Sequence, residues 1–221
     1  MPGYDLKEAA EIVRAGASLF ARGLATGTSG NVSRRLAAGQ VLISPTNVSL
    51  GSLAADGLAL IDAEGNHLAG AAPSKEWPLH LAMYRARPAA AAIVHLHATH
   101  SAAVSCMDGL DPQDCLPPLT AYQVMKFGRL PMTGWYRPGD PGLAPEIEAL
   151  ARAHPAILLA NHGPLVAGTD MQDALARIEE LEETAHLFLM LRGSRTRELT
   201  SSQITELEAH FGSANRAEDS R

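Results

Sequence analysis

Two histidines stand one residue apart in the apolar run Ile93–His100, IVHLHATH. Side chains two positions apart on an extended chain point the same way, so His95 and His97 would project from one face of a strand. Two protonated imidazoles at that spacing would repel each other. A transition metal that binds both in neutral form removes the penalty. Alone, the pair fits two ordinary hydrogen-bonded histidines as well. His162 shifts the balance: it ends a second apolar run, LLANHGP, where Gly163 and Pro164 then turn the chain. Three histidines leave one coordination position open, the pattern of a catalytic rather than a structural zinc. His95, His97 and His162 are therefore the candidate ligands, and another divalent metal could replace zinc.

A metal-dependent lyase also needs a carboxylate that exchanges a proton beside the substrate. Glu76, in PSKEW, is the best-placed candidate. Its plainer role would be to face the dipole of the helix it opens. The loop TGTSGN (26–31) offers small residues, hydroxyls and accessible backbone N–H groups, which suit a phosphate. It lacks the Lys and Ser/Thr offset of a P-loop. Thr46, Ser74 and Lys75 add two hydroxyls and a cation, and Arg137 in YRPGD either holds a second anionic group or closes a loop. His100 is out of register with the pair, and His80 falls inside a helix as a structural residue. His67, His154, His186 and His210 have no partner visible in the sequence.

The elements that must position these residues follow from periodicity. Residues 5–22 read as an amphipathic helix capped by Asp5. Strands are expected at 31–35 and 40–46, and a hairpin over 58–70 turns at Glu64–Asn66. Ser74 is the expected N-cap of a helix that stops before Pro88. Buried strands are expected at 90–97 and 156–163, with PLVAG as partner or continuation of the second. A helix is read over 99–107, short strands near 120–126 and 130–136, and helices at 144–153, 170–191 and 202–210. In the long helix, Met171, Leu175, Ile178, Leu181, Ala185 and Phe188 mark the buried side. Glu179, Glu180, Glu182 and Glu183 read as its solvated face.

The 221 residues suffice for one domain with a sizeable core. A net charge of −6 and the absence of a Lys/Arg run argue against a nucleic-acid or anionic-membrane partner. Only Cys106 and Cys115 occur, which suggests reduced thiols and a cytoplasmic protein; Cys106 reads as a small packed residue and Cys115 as part of a loop. The N-terminus does not read as a signal peptide, and no apolar run approaches the roughly 20 residues of a bilayer span.

Taken in order, GTSGNVSRR, ISPT, PSKEWPLHLAMYRARP, IVHLHATHSAAVSC and LANHG resemble the class II aldolase/adducin family over about residues 6–192. The resemblance implies an α/β fold of three layers, α/β/α, with a central, mainly antiparallel sheet. It implies one domain over 1–211, a polar tail at 212–221 and a cyclic homotetramer with sites at subunit interfaces. It makes His95, His97 and His162 zinc ligands, Glu76 the acid/base residue, and Asn31, Thr46 and Ser74 phosphate-site positions. Family aldolases commonly carry a second serine where this chain has Lys75. That departure, with LPPLTAYQVMKFGRLPMTGWYRPGDP and the run 160–191, resembles the branch that decarboxylates 3-oxo-tetronate 4-phosphate. The implied reaction yields dihydroxyacetone phosphate and CO2 through an enediolate, with Lys75 and Arg137 orienting an anionic group. The alternatives are an aldolase or epimerase of the fuculose- or ribulose-phosphate type and, further off, a non-catalytic adducin-like binding module.

Overall fold

A computed structural model describes residues 3–37, 39–137 and 139–212, so most of the expected polar tail lies outside the described residues. Seven strands form one sheet: β1 (Asn31–Arg35), β2 (Val41–Ile43), β3 (Ala59–Ile61), β4 (His67–Gly70), β5 (Ala92–His95), β6 (Ala156–Leu159) and β7 (Gly163–Gly168). Their order is β4-β3-β2-β1-β5-β7-β6, and every pairing is antiparallel.

Both faces of this sheet are covered, because β2, β3, β5 and β6 are apolar at successive positions and must bury both sets of side chains. Val32, Leu42, Leu60, Val94, Leu158 and Val166 point to one layer. There they meet Ile12 and Leu19 of α1 (Leu6–Ala21), Val104 of α3 (Thr99–Ser105) and Ile178 and Leu181 of α6 (Met171–Met190). The alternate residues Val41, Ile43, Ile61, Ile93, Ile157 and Leu165 face the other layer. They pack on Leu79 and Met83 of α2 (Trp77–Ala86) and on Ile147 and Ala151 of α5 (Leu143–Ala151). Each fully buried Ile or Leu contributes about 1.5–3 kcal/mol relative to exposure. The outcome is the three-layer α/β/α arrangement expected. The remaining helices are α4 (Ala121–Lys126) and α7 (Ser201–Phe211). No helix among the described residues is long and apolar enough to cross a membrane.

Several local expectations fail for identifiable reasons. Residues 121–126 are helical rather than extended: the Thr120 hydroxyl accepts from the Gln123 N–H and caps the turn, and six residues are too few to display a period. Segment 130–136 contributes only a single parallel bridge, Met132 to Leu158. Ser74 does not cap α2, which begins at Trp77; its hydroxyl accepts from the Glu76 N–H in the turn before it. Glu182 is not solvated. It is buried and receives the backbone N–H of His100 and of Ser101 and the Ser101 hydroxyl, capping α3 from a neighbouring helix. Cys106 is exposed rather than packed, whereas Cys115 lies in a loop as expected and is buried there.

Candidate metal centre

β5 ends at His95 because Leu96 makes the last backbone bond to β7, Leu96 N–H to Pro164 C=O at 3.2 Å, before the chain turns into α3. His95 is therefore on the strand and His97 just past it, yet both rings reach the same point. His162 lies in the three-residue turn between β6 and β7, not at the end of β6. Asn161 takes the left-handed conformation there, φ 55°. Ser105, at the end of α3, holds that turn: its carbonyl accepts from the Asn161 N–H at 3.0 Å and its hydroxyl from the His162 N–H at 3.1 Å. Gly163 is required by contact. A Cβ there would stand 2.2 Å from the Leu96 carbonyl oxygen, so only glycine lets the turn lie against the end of β5.

The three imidazoles meet through Nε2. His162 Nε2 is 2.8 Å from His97 Nε2 and 3.3 Å from His95 Nε2. Glu76 closes the group, with Oε1 3.2 Å from His162 Nε2 and Oε2 3.5 Å from His95 Nε2. One donor atom from each of the four residues falls within 4.8 Å of the others, so the cluster suits a metal ion. The chemistry of the donors agrees. His95 Nδ1–H donates to the Pro164 carbonyl at 2.8 Å, which places the proton on Nδ1 and leaves the Nε2 lone pair facing the cluster. Burial pushes His95 down to about 4 and lowers His97, so both are neutral and able to ligate at physiological pH. Burial raises the Glu76 carboxyl, but His95, His162 and the Asn31 amide outweigh it and hold the group well below the usual carboxylate range.

Glu76 occupies the N-cap position of α2 without capping it; its side chain turns to the histidines instead. Asn31 Nδ2 donates to Glu76 Oε2 at 2.6 Å, and Asn31 is 3% exposed. Thr46 and Ser74 come together where Pro45 bridges Pro73, with the Thr46 N–H on Ala72 and the Ser74 N–H on Ser44. Lys75 and Arg137 sit elsewhere, lining a cavity of about 640 Å³ together with Glu76, His97, His162 and the aromatic rings of Trp135 and Tyr136. Arg137 faces Asp140 at 3.5 Å. The TGTSGN loop turns on itself, Ser29 hydroxyl to Thr26 carbonyl, and brings Gly30 against the His95 carbonyl.

His100 is not in the cluster; it binds Glu182 through Nδ1 and stacks on His186. His80 is fully buried and bonded on both ring nitrogens, to Ser33 and to Asn31. The link from His80 to the site escaped the sequence reading. Its only trace there is a spacing of one helical turn from Glu76.

Comparison with known proteins agrees with this geometry. Residues 10–189 match the model of the class II aldolase and adducin N-terminal domain. The chain is 46% identical over 204 residues to a 3-oxo-tetronate 4-phosphate decarboxylase of Haemophilus influenzae, covering 92% of this chain and 97% of that one. It is 34% identical over 169 residues to L-fuculose phosphate aldolase of Escherichia coli, covering 76% and 75%. The crystal structure of YgbL from Klebsiella pneumoniae superposes with a TM-score of 0.90 at 44% identity, covering 93% of this chain and all of that one. With a fold, a clustered site and a family match over most of its length in agreement, the chain belongs to the class II aldolase and adducin family.

Proposed function

We propose that this protein decarboxylates 3-oxo-tetronate 4-phosphate to dihydroxyacetone phosphate and CO2. The observation that carries the reading is the convergence of His95, His97, His162 and Glu76 beside a cavity that also holds Lys75 and Arg137. The substrate follows from the named activity of the Haemophilus influenzae relative, which matches this chain nearly end to end. His95, His97 and His162 would hold a divalent cation, zinc by the donor set. When bound, that cation supplies Lewis acidity toward a substrate carbonyl and offsets the negative charge that develops there.

The reaction breaks the bond between C1 and C2. CO2 leaves without the bonding electrons, which pass into the C2–C3 unit as an enediolate. A proton then reaches C2, giving dihydroxyacetone phosphate, and each turnover consumes one proton. Glu76 carries it. It rests ionised, and with Oε2 accepting from the Asn31 amide, Oε1, on the His162 side, is the oxygen that takes up a proton and passes it to C2. The proton reaches Glu76 from solvent through the cavity. Lys75 and Arg137 supply the cations for an anionic group in the cavity; Thr46 and Ser74, with Asn31 beside them through its remaining amide hydrogen, are the phosphate contacts the family resemblance supports. A firm ion pair on the departing carboxylate would stabilise the ground state more than the transition state. Lys75 and Arg137 therefore act on the phosphate or on orientation.

Residues 1–211 act as one domain in this reading, followed by the tail at 212–221. The family resemblance supports a homotetramer, and an exposed free Cys106 suits the reducing cytoplasm. The relation to L-fuculose phosphate aldolase favours a second reading, cleavage of a ketose phosphate to an aldehyde. The deciding experiment supplies enzymatically generated 3-oxo-tetronate 4-phosphate, with and without chelator. Equal amounts of CO2 and dihydroxyacetone phosphate, abolished by the chelator, are expected. No release from metal-loaded protein, together with aldehyde from a ketose phosphate, would replace this reading with the second.

A further inference from the structure

Beneath Glu76 runs a chain of buried polar groups, of which the proposed reaction leaves Ser33, His80 and Tyr84 without a role. Tyr84 Oη lies 3.0 Å from Ser33 Oγ, Ser33 Oγ lies 2.7 Å from His80 Nδ1, and His80 Nε2 lies 2.5 Å from Asn31 Oδ1. Asn31 Nδ2 then donates to Glu76 Oε2 at 2.6 Å. The geometry points to His80 as a positioning residue that, through Asn31, fixes how the Glu76 carboxylate is held at the metal cluster. The inference rests on the role of Glu76 in the reading above.

The direction of the chain follows from its end. A carboxylate only accepts, so Asn31 must present its NH2 to Glu76 and its carbonyl oxygen to His80. His80 must then carry its proton on Nε2 and accept at Nδ1. The Ser33 hydroxyl donates to Nδ1 and accepts from Tyr84. Burial pushes His80 down to about 3 and raises Tyr84, so both stay neutral near physiological pH. If the amide of Asn31 were reversed, its oxygen would face Glu76 Oε2 at hydrogen-bond distance, lone pair against lone pair. The Nε2–H of His80 rules out that orientation. A purely structural histidine would need partners but no particular polarity, and its loss would not act through Asn31.

The test uses full-length, metal-loaded protein with metal content measured for each variant. His80→Gln keeps an amide N–H where Nε2–H stands, and His80→Leu keeps none. Expected for His80→Leu is a loss of about 10- to 100-fold in kcat at nearly constant KM and metal content, with most of it restored in His80→Gln. In an Asn31→Ala background the same Leu change should cost little, because the two act in series. Equal kcat in both His80 variants, or losses that multiply independently, would overturn the inference. Ser33→Ala trims one hydroxyl and serves if His80→Leu fails to fold; it should lower kcat in the same way, and an unchanged kcat counts against the chain. Separately, 15N spectra of histidine-labelled, metal-free protein near neutral pH should show His80 as the Nε2–H tautomer, identified by its absence in His80→Gln. An Nδ1–H tautomer or an imidazolium would refute the chain whatever the enzyme turns over. If the wild-type protein released no CO2 while the Nε2–H tautomer was present, the decarboxylase reading would fall and the hydrogen-bond chain would stand.

Discussion

Asn31 and His95 stand directly opposite each other on the paired strands β1 and β5. One register therefore sets both the amide that grips Glu76 and the most buried of the three histidines. A slip of one residue would send both to the opposite face of the sheet. The pairing of Val32 with Val94 next to them, both fully buried, opposes such a slip.

Replacing Glu76 by Gln keeps the shape of the side chain and removes its proton exchange. The variant should retain its metal and lose about 10²–10⁴ in kcat, the usual worth of general acid–base catalysis. Steady-state rates beside elemental analysis check this; a wild-type rate would remove Glu76 from the mechanism.

His97 lies past the end of β5, so His97→Ala opens no core cavity. Metal content after dialysis should collapse while the thermal midpoint of the metal-free protein moves little. Full metal occupancy in this variant would contradict the ligand assignment.

Gly163→Ala places a methyl group 2.2 Å from the Leu96 carbonyl oxygen. Relief requires the β6–β7 turn to move, and His162 with it. Overpacking of this kind costs about 1–3 kcal/mol, or several degrees in Tm for a chain of this size. Metal affinity should fall as well. Scanning calorimetry and a metal competition assay read the two effects separately.

Glu182→Ala strips two backbone N–H groups, the Ser101 hydroxyl and His100 Nδ1 of their partner at the start of α3. Buried and unsatisfied, they should lower stability by about 2–3 kcal/mol. Denaturant unfolding measures the loss. Because α3 also anchors the His162 turn through Ser105, kcat should drop before unfolding is complete.

His80 is neutral in the fold and has an ordinary value of 6.5, lowered by burial to about 3. Between those limits the unfolded chain binds the extra proton, so stability rises with pH and is lost as pH falls. From pH 6.5 to about 5 the loss from this residue approaches about 2 kcal/mol. Urea unfolding of metal-free protein at the two values should show it, and His80→Gln should lessen the dependence by that amount, leaving the share of His95 and His97, which burial also lowers.

The three histidines of the cluster were readable because their signals are local. His95 and His97 are two residues apart, and His162 is marked by the apolar run before it and the Gly-Pro after it. What was misread depended on distant partners. Glu182 belongs to an acidic run that any helix would turn to water, and only the free N–H groups of α3, some 80 residues earlier, draw it inward. Residues 121–126 carry strand-forming and helix-forming side chains in similar measure, and the Thr120 cap decides between them. Ser74 has the residue type of an N-cap, but Glu76 is pulled to the histidines and the helix starts three residues later.

By itself the sequence determined the continuous apolar runs of the strands, hence a sheet covered on both faces, and the identity of the donor atoms. Those properties reside in single side chains and in short periods along the chain. The tertiary structure decided which donors meet and which way each hydrogen bond runs. His95 Nε2 faces the cluster because Pro164, on the neighbouring strand, takes the proton on Nδ1. Asn31 turns its amide to Glu76 because His80 and Ser33 occupy its other side. Hydrogen-bond polarity is set by the partner, and the partners come together only when the strands pair.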